Sequence, residues 1–301
     1  MSRIRKNTTG GKAVGGGALA PNSKRNNSTF QVDAYSRGGA SGPAVSFAFI
    51  AGGGGGGNYS GNYYIGAGGQ GGGFRAGGVG AENSGGATAN LGALDITSGQ
   101  QYQVTVGAGG GGNATGGTSQ FASYTASGGL CCGSGTSNAG LNFGANGSFY
   151  AGGGSGATNS SYTGGNGTIT SIRGSNEYFG GGGGGVSLAP ANPCSGCGGS
   201  VGGGGAGGGG SAGLYDPSYD GPPVGSGGSG NTGGGGGAGR GGSWQYTGKT
   251  GNAGGSGIVM VRYEDSLTIT VGAGLSHSAG TTSGGFKRHS FTSGSGVISF
   301  A

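Results

Sequence analysis

Tyr178–Gly213 reads YFGGGGGGVSLAPANPCSGCGGSVGGGGAGGGGSAG: six consecutive glycines, a short loop with Pro and Cys, and two blocks of four glycines. Comparable glycine-rich runs occupy Gly52–Gly57, Gly66–Gly73, Gly107–Gly112 and Gly233–Gly237. Glycine brings no side chain to a hydrophobic core and loses more conformational freedom on folding than any other residue. The chain is therefore either disordered or folded in a way that uses bare backbone.

The composition narrows these choices. Of 301 residues 93 are glycine, 31% are hydrophobic and only 7% are charged, so apolar residues are too few for one conventional core of this size. Collagen requires strict Gly-X-Y spacing and abundant proline. Here glycine occurs in blocks and there are only 7 prolines, which excludes collagen. A disordered linker and a bundle of extended glycine helices both remain open.

The glycine bundle has a definite physical basis. A polyproline II helix has 3 residues per turn, a rise of about 3.1 Å and no internal hydrogen bonds, so its N–H and C=O groups point outward. Without side chains, such helices can approach closely enough to bond to one another. Each bond contributes about 0.5–1.5 kcal/mol net, so several packed runs can offset the entropy of ordering whereas a single run cannot.

The fold class predicted is all-β: a small β-sandwich-like core with a slab of packed polyglycine II helices and no significant α-helix. Aromatic and β-branched residues predict strands before and after the glycine-rich region. The strongest are Val45–Ala51 and Gly257–Tyr263, and Leu94–Thr97 with Tyr102–Val106 reads as a hairpin. Weaker strands are expected at Thr118–Ala126, Thr168–Arg173, Leu267–Val271, Phe286–Phe291 and Val297–Phe300. We divide the chain into an arm (1–43), a glycine-rich domain (44–263) and a C-terminal β tail (264–301).

The positive charge is confined to the arm. Residues 1–38 carry seven basic side chains and one acid, Asp33, so 7 − 1 = +6, which equals the net charge of the whole chain. A basic arm fits nucleic acid, an acidic protein surface or simply a solvated tail. No cleaved leader and no apolar run of about 20 residues is expected, and membrane insertion is not predicted. The candidates for docking are Arg3, Arg5, Lys6, Lys12, Lys24 and Arg25.

An ordered set of motifs resembles the glycine-rich domain of bacteriophage tail fibre and related virion proteins. The set comprises Phe47–Gly57, Tyr102–Gly110, Gly117–Phe121, Gly174–Gly185 and Gly254–Tyr263. The resemblance covers about residues 44–263 and extends to phage adhesins in which polyglycine II helices pack as a slab. It implies a virion location, other virion proteins as partners, and exposed loops that bind a host glycan or outer-membrane protein. It is compatible with a trimer or a monomeric tip.

Aromatic residues among polar turn residues are the receptor-contact candidates. Exposed aromatic rings give rigid contact area at little entropic cost. The same rings could instead cap the ends of the glycine slab, and the sequence leaves both roles open. The candidates are Tyr59, Tyr63, Tyr64, Tyr215, Tyr219, Trp244 and Tyr246.

Four cysteines form the sharpest polar feature: the adjacent pair Cys131 and Cys132, and the Cys-x-x-Cys of Cys194 and Cys197. They could be small thiols filling slots between glycine helices, disulfides in a particle that works outside the cell, or metal ligands. No cofactor is predicted, and no metal site is assigned.

No catalytic pattern is visible, so the chain is not predicted to be an enzyme. The glycine runs lack the strand–loop–helix context and the Lys-Ser/Thr ending of a phosphate-binding loop. Asp216 and Asp220 share one turn-rich loop, and His277 and His289 lie 12 positions apart beyond the glycine-rich domain. The expected function is a structural component of a phage tail fibre or appendage, docked by its arm. The alternative is a capsid-associated or inner head protein whose arm contacts capsid or DNA.

Overall fold

The glycine-rich body is all-β. The computed structural model describes residues 43–57, 65–78, 91–131, 151–152, 154–155, 162–187, 200–213, 225–239, 251–280 and 282–301. The chain divides into two units, Met1–Ala40 and Ser41–Ala301, and the first lies outside the described residues. No helix occurs within the described ranges, which confirms the predicted fold class.

The structure has the following strands: β1 Ala44–Ile50, β2 Ile65–Gly66, β3 Phe74–Gly77, β4 Leu94–Asp95, β5 Gln101–Thr105, β6 Ser119–Phe121, β7 Tyr124–Ala126, β8 Thr168–Thr170, β9 Glu177–Phe179, β10 Val186–Ser187, β11 Ser200–Val201, β12 Ile258–Glu264, β13 Ile269–Val271, β14 Leu275–Ala279 and β15 Phe286–Phe300. Ten of them form one sheet in the order β3-β1-β12-β15-β5-β6-β7, with β4 on β1 and with β13 and β14 on β15.

The long strand β15 joins the two halves of this sheet. Its first part pairs with β12 and its last part with β5, and between them Gly294 has a φ of 94°. A positive φ is accessible to glycine without steric cost, so the strand can bend there. The sheet curls until β7 approaches β3, where Arg75 Nε donates to the Thr125 carbonyl at 3.4 Å. The result is a nearly closed, sandwich-like barrel.

Alternation along the central strands creates two apolar clusters. Val45, Phe47 and Phe49 of β1 face the barrel interior, where they pack with residues from both halves of the sheet, including Phe121 and Phe291. Their neighbours Ala48 and Ile50 face outward onto Ile172 and Phe179. Because β1 is buried on both faces, it reads as a continuous apolar run rather than an alternating one.

Two features of the sheet differ from the sequence-based expectations. The predicted hairpin of Leu94–Thr97 with Tyr102–Val106 is wrong: β4 pairs with β1, whereas β5 pairs with β15 and β6. The turn between them exists, but the hydrogen bond from Ile96 N–H to the Pro43 carbonyl holds β4 beside the start of β1. In addition, the segment set apart as a C-terminal tail supplies β15, a central strand of the main sheet.

Gly52–Gly57 shows how the glycine runs pack. Its N–H groups donate to three neighbouring segments in turn, at N···O distances of 2.6–3.0 Å. Gly52 and Gly55 donate to segment 114–117, Gly53 and Gly56 to segment 252–255, and Gly54 and Gly57 to segment 67–70. The partner repeats at every third residue, which is the period of polyproline II, and no residue of this run has a positive φ.

The carbonyl groups of the same run bond to three further segments. Those of Gly53 and Gly56 accept from segment 107–113, those of Gly54 and Gly57 from segment 233–239, and that of Gly52 from segment 127–130. A helix whose N–H groups bond to three neighbouring segments and whose C=O groups bond to three others is surrounded by six segments in a hexagonal arrangement. The donors of Gly181–Gly185 follow the same rule, with Gly181 and Gly184 bonding to segment 207–210 and Gly182 and Gly185 to segment 162–165, so the predicted slab of packed polyglycine II helices is present.

Exposure in the outer segments also repeats every third residue. The exposed residues are mostly the non-glycine ones, because a side chain fits only where it points away from the lattice. Exposed residues three positions apart are Ala108, Gly111 and Ala114; Thr115 and Thr118; Thr163 and Asn166; Gly203 and Ala206; and Ser226 and Ser229, and the glycines Gly227 and Gly230 are exposed as well.

Replacing an interior glycine by alanine should destabilise the protein. A methyl group on Gly183 would lie closer than 3.0 Å to the Gly236 carbonyl, and backbone atoms cannot rotate aside as a side chain can. We expect Gly183→Ala to cost about 1–3 kcal/mol or more. In Gly203→Ala the methyl meets nothing within 4 Å, so this matched control should be neutral or up to about 1 kcal/mol stabilising. Urea unfolding of both variants measures the difference, and equal destabilisation would contradict the lattice.

Candidate functional site

Several glycine segments of the slab terminate at the same end of it. Hydrogen bonds there join Gly57 N–H to the Ala67 carbonyl at 2.6 Å and Gly213 N–H to the Ala238 carbonyl at 3.2 Å. A small sheet of β2, β10 and β11 lies at the same end. At the opposite end the glycine segments continue directly into strands of the main sheet, such as β1, β3, β5 and β12. The slab therefore has a sheet end and a loop end.

The described residues that flank the receptor-contact candidates lie at the loop end. Tyr59, Tyr63, Tyr64, Tyr215, Tyr219, Trp244 and Tyr246 lie outside the described residues. The lattice residues on either side of them are described, and hydrogen bonds connect them. Ser226 N–H donates to Ser211 at 2.9 Å, and Asn252 N–H donates to Gly237 at 3.0 Å. Residues 58–64, 214–224 and 240–250 therefore share one end of the slab as their point of attachment.

Of the four cysteines only Cys131 is described. It is half-buried and forms no disulfide, and it follows segment 127–130, whose carbonyls accept from Gly73 and Gln70. Cys132, Cys194 and Cys197 lie outside the described residues, as do the arm candidates Arg3, Arg5, Lys6, Lys12, Lys24 and Arg25. The roles predicted for these side chains remain predictions.

Two buried serines join the slab to the strands. Ser119 accepts a hydrogen bond from Gly107 N–H at 2.9 Å and donates to the Ile50 carbonyl at 2.8 Å. Ser155 likewise accepts from Thr168 N–H at 3.0 Å and donates to the Phe179 carbonyl at 2.7 Å. Each hydroxyl satisfies a donor and an acceptor where a strand becomes a glycine helix. Sequence reasoning missed both serines, because serine is common throughout this chain.

Gln70 is a polar residue inside the lattice. Its side chain is 1% exposed, and neither its amide nitrogen nor its amide oxygen has a hydrogen-bond partner. Its backbone N–H and C=O still bond to Leu130 and Gly54, so the glycine run continues through this position. In the sequence, Gln70 is recognisable as the single large residue within Gly68–Gly73.

The two histidines meet in the structure. His277 Nδ1 lies 2.7 Å from His289 Nε2, although nothing in their spacing of 12 residues predicts this contact. Burial, and secondly the charge of His277, lower the pKa of His289. Burial also raises the pKa of the Tyr263 phenol on the neighbouring strand β12.

Charged side chains are few in the part of the chain that the structure describes. The ion pair found there joins Arg173 to Glu177 at 3.2 Å across a surface turn. No group of three His, Cys, Asp or Glu side chains in the described ranges could hold a metal ion. None of the described segments is a helix with the length and apolar character needed to span a bilayer.

The chain matches no protein-family model and no curated protein sequence. The site must therefore be interpreted from its own geometry: a hydrogen-bonded slab whose loop end carries the attachment points of three aromatic-rich segments.

Removing the Ser119 hydroxyl should loosen the joint between slab and sheet. Ser119→Ala leaves the Gly107 N–H without this buried acceptor, which costs about 1–3 kcal/mol. Ser123→Ala is the matched control, since Ser123 is an exposed turn residue four positions after Ser119. Thermal unfolding followed by calorimetry checks the pair. If both variants have the melting temperature of the wild-type protein, the hydrogen bonds of the Ser119 hydroxyl do not contribute to stability.

Proposed function

We propose that this protein is a structural component of a phage virion, part of a tail fibre or similar appendage, whose aromatic loops contact the host surface. The observation that carries the proposal is the shared attachment of segments 58–64, 214–224 and 240–250 at one end of the slab. The ordered motifs that resemble phage fibre domains support it from the sequence side. The sheet end then faces the rest of the particle.

The slab suits this role because it is a rigid support for variable loops. Gly52–Gly57 and Gly180–Gly185 bond to neighbouring segments at every residue, so the described ends of these runs are fixed relative to one another. Recognition residues concentrate on loops that a rigid scaffold positions. Tyr and Trp supply large amphipathic surfaces with few rotatable bonds, which suits sugar rings and protein surfaces alike.

Polar substitution of the aromatic loop residues tests the receptor role. We expect Tyr215→Ser combined with Tyr219→Ser, and separately Trp244→Ser combined with Tyr246→Ser, to reduce binding to host cells at least about tenfold, as loss of interface anchors does. The melting temperature should stay unchanged. Tyr178→Ser is the control, because Tyr178 is 45% exposed on β9, away from the loop end. Equal binding by all three variants would refute the receptor role.

Deletion of residues 1–38 tests the arm as the docking element. This segment carries the entire net charge of +6. The truncated protein should fold with an unchanged far-ultraviolet spectrum but should not be incorporated into particles. Normal incorporation would contradict docking through the arm.

The charge of the arm also favours a second candidate, a capsid-associated or inner head protein. Phosphate contacts make binding fall steeply with salt concentration. Salt-dependent DNA binding by the full-length chain, lost on deletion of 1–38, would favour that candidate, whereas localisation of the protein at the tail would exclude it.

A further inference from the structure

The only two histidines of this chain of 301 residues touch one another. His277 lies on β14 and His289 on β15, and their ring centroids are 4.8 Å apart with an interplanar angle of 31°. At 2.7 Å, the Nδ1 of His277 and the Nε2 of His289 share one hydrogen bond. One nitrogen donates and the other accepts, so at least one ring must be neutral.

His289 lies in apolar surroundings. It is 5% exposed, stacks on Phe291 with centroids 5.4 Å apart, and pairs across the sheet with Val261. His277 is exposed on the outer strand. Water can therefore deliver a proton to the pair from the side of His277.

No carboxylate in the described part of the chain accompanies the pair on its face of the sheet. The alternation of β12 and β15 places Tyr263 and Lys287 on that face, and Lys287 Nζ donates to the Leu267 carbonyl at 2.9 Å. Arg262, Glu264 and Arg288 occupy positions of the opposite face, and Asp265 is exposed in the turn after β12. A second proton on the pair would therefore meet a like charge without a counter-ion.

We propose that the His277–His289 pair is an acid-sensitive latch that holds β14 against β15 and releases it when both rings are protonated. Among the described strands, β14 pairs only with β15, and Ser276–Ala279 are exposed. By contrast β15 is also held by β12 and β5. Repulsion between two imidazolium rings therefore acts on β14, which has no second strand partner among the described strands.

The pH range follows from the pKa of His289. Burial and the charge of His277 lower this pKa from the ordinary value of 6.5, so between the two values the opened strand binds a proton that the closed strand does not. The contribution of neutral His289 to the stability of the closed β14–β15 pair is complete above about pH 6.5. It is lost as the pH falls from there towards the lowered pKa of His289. Other side chains with ordinary pKa values do not titrate between pH 5.5 and 7.

Hydrogen exchange of the full-length protein at pH 7 and pH 5.5 tests the latch. After correction for intrinsic exchange rates, the opening constant of the β14 amides should rise at least about threefold at pH 5.5, since a tenfold change corresponds to one pKa unit. The amides of β5 and β6 serve as the internal reference, because these strands contain no histidine and should not respond.

Two variants identify the pair as the cause. His289→Gln keeps an amide that can bond to His277 but cannot titrate, so the pH response of β14 should disappear. His277→Gln leaves one buried imidazole without the like charge, so the response should shrink but persist. If His289→Gln does not fold, the His277→Gln result still decides. A wild-type protein without a β14 response, or a response equal to wild type in either variant, would overturn the proposal.

Discussion

The structure depends on hydrogen bonds between backbones that no side chain separates. In the lattice, a carbonyl oxygen of one segment lies where the Cβ of a neighbouring residue would be, as between Gly53 and Gly234. Polyproline II geometry turns the donors of each segment to successive neighbours, so consecutive bonds link a segment to different helices and the partner repeats at every third residue. Glycine is normally costly because it is flexible when unfolded. Here the lack of a side chain lets the segments approach closely and form many hydrogen bonds with one another. Together these bonds offset the entropic cost of ordering glycine.

The glycine lattice and the β-sheet depend on each other. Glycine buries little apolar surface, so hydrophobic stabilisation comes mainly from the barrel interior around Phe47, Phe121 and Phe291. The strands in turn set the register of the lattice, because β1 runs directly into Gly52–Gly57 and segment 251–257 runs directly into β12. Pairing of Ile50 with Ile258 places those two segments side by side at the point where the glycine runs begin. Ser119 fixes the transition by bonding to backbone on both sides.

The separate contributions of the sheet and the glycine lattice are consistent with the proposed role. The sheet end is closed by direct strand connections, whereas the loop end receives long segments rich in aromatic and polar residues. A lattice of bare backbone has no side chains to vary, so in the proposed function recognition is assigned to those segments. Small outward side chains on the outer helices, such as Thr115 and Thr163, leave the sides of the slab comparatively plain.

The amino-acid sequence by itself determined the fold class, the existence of the lattice and the main strands. These follow from local properties: blocks of glycine, if they fold, favour close-packed extended helices, and Val45–Ala51 has the apolar residues of a buried strand. Pairings between distant segments required the tertiary structure. A two-residue strand such as β4 has too little local pattern to choose between β1 and β5, and Ser119 and Ser155 look like any other serine. The contact of His277 with His289 arises only because β14 folds back on β15 with a register shift between Ser276 and His277, which no spacing in the sequence reveals.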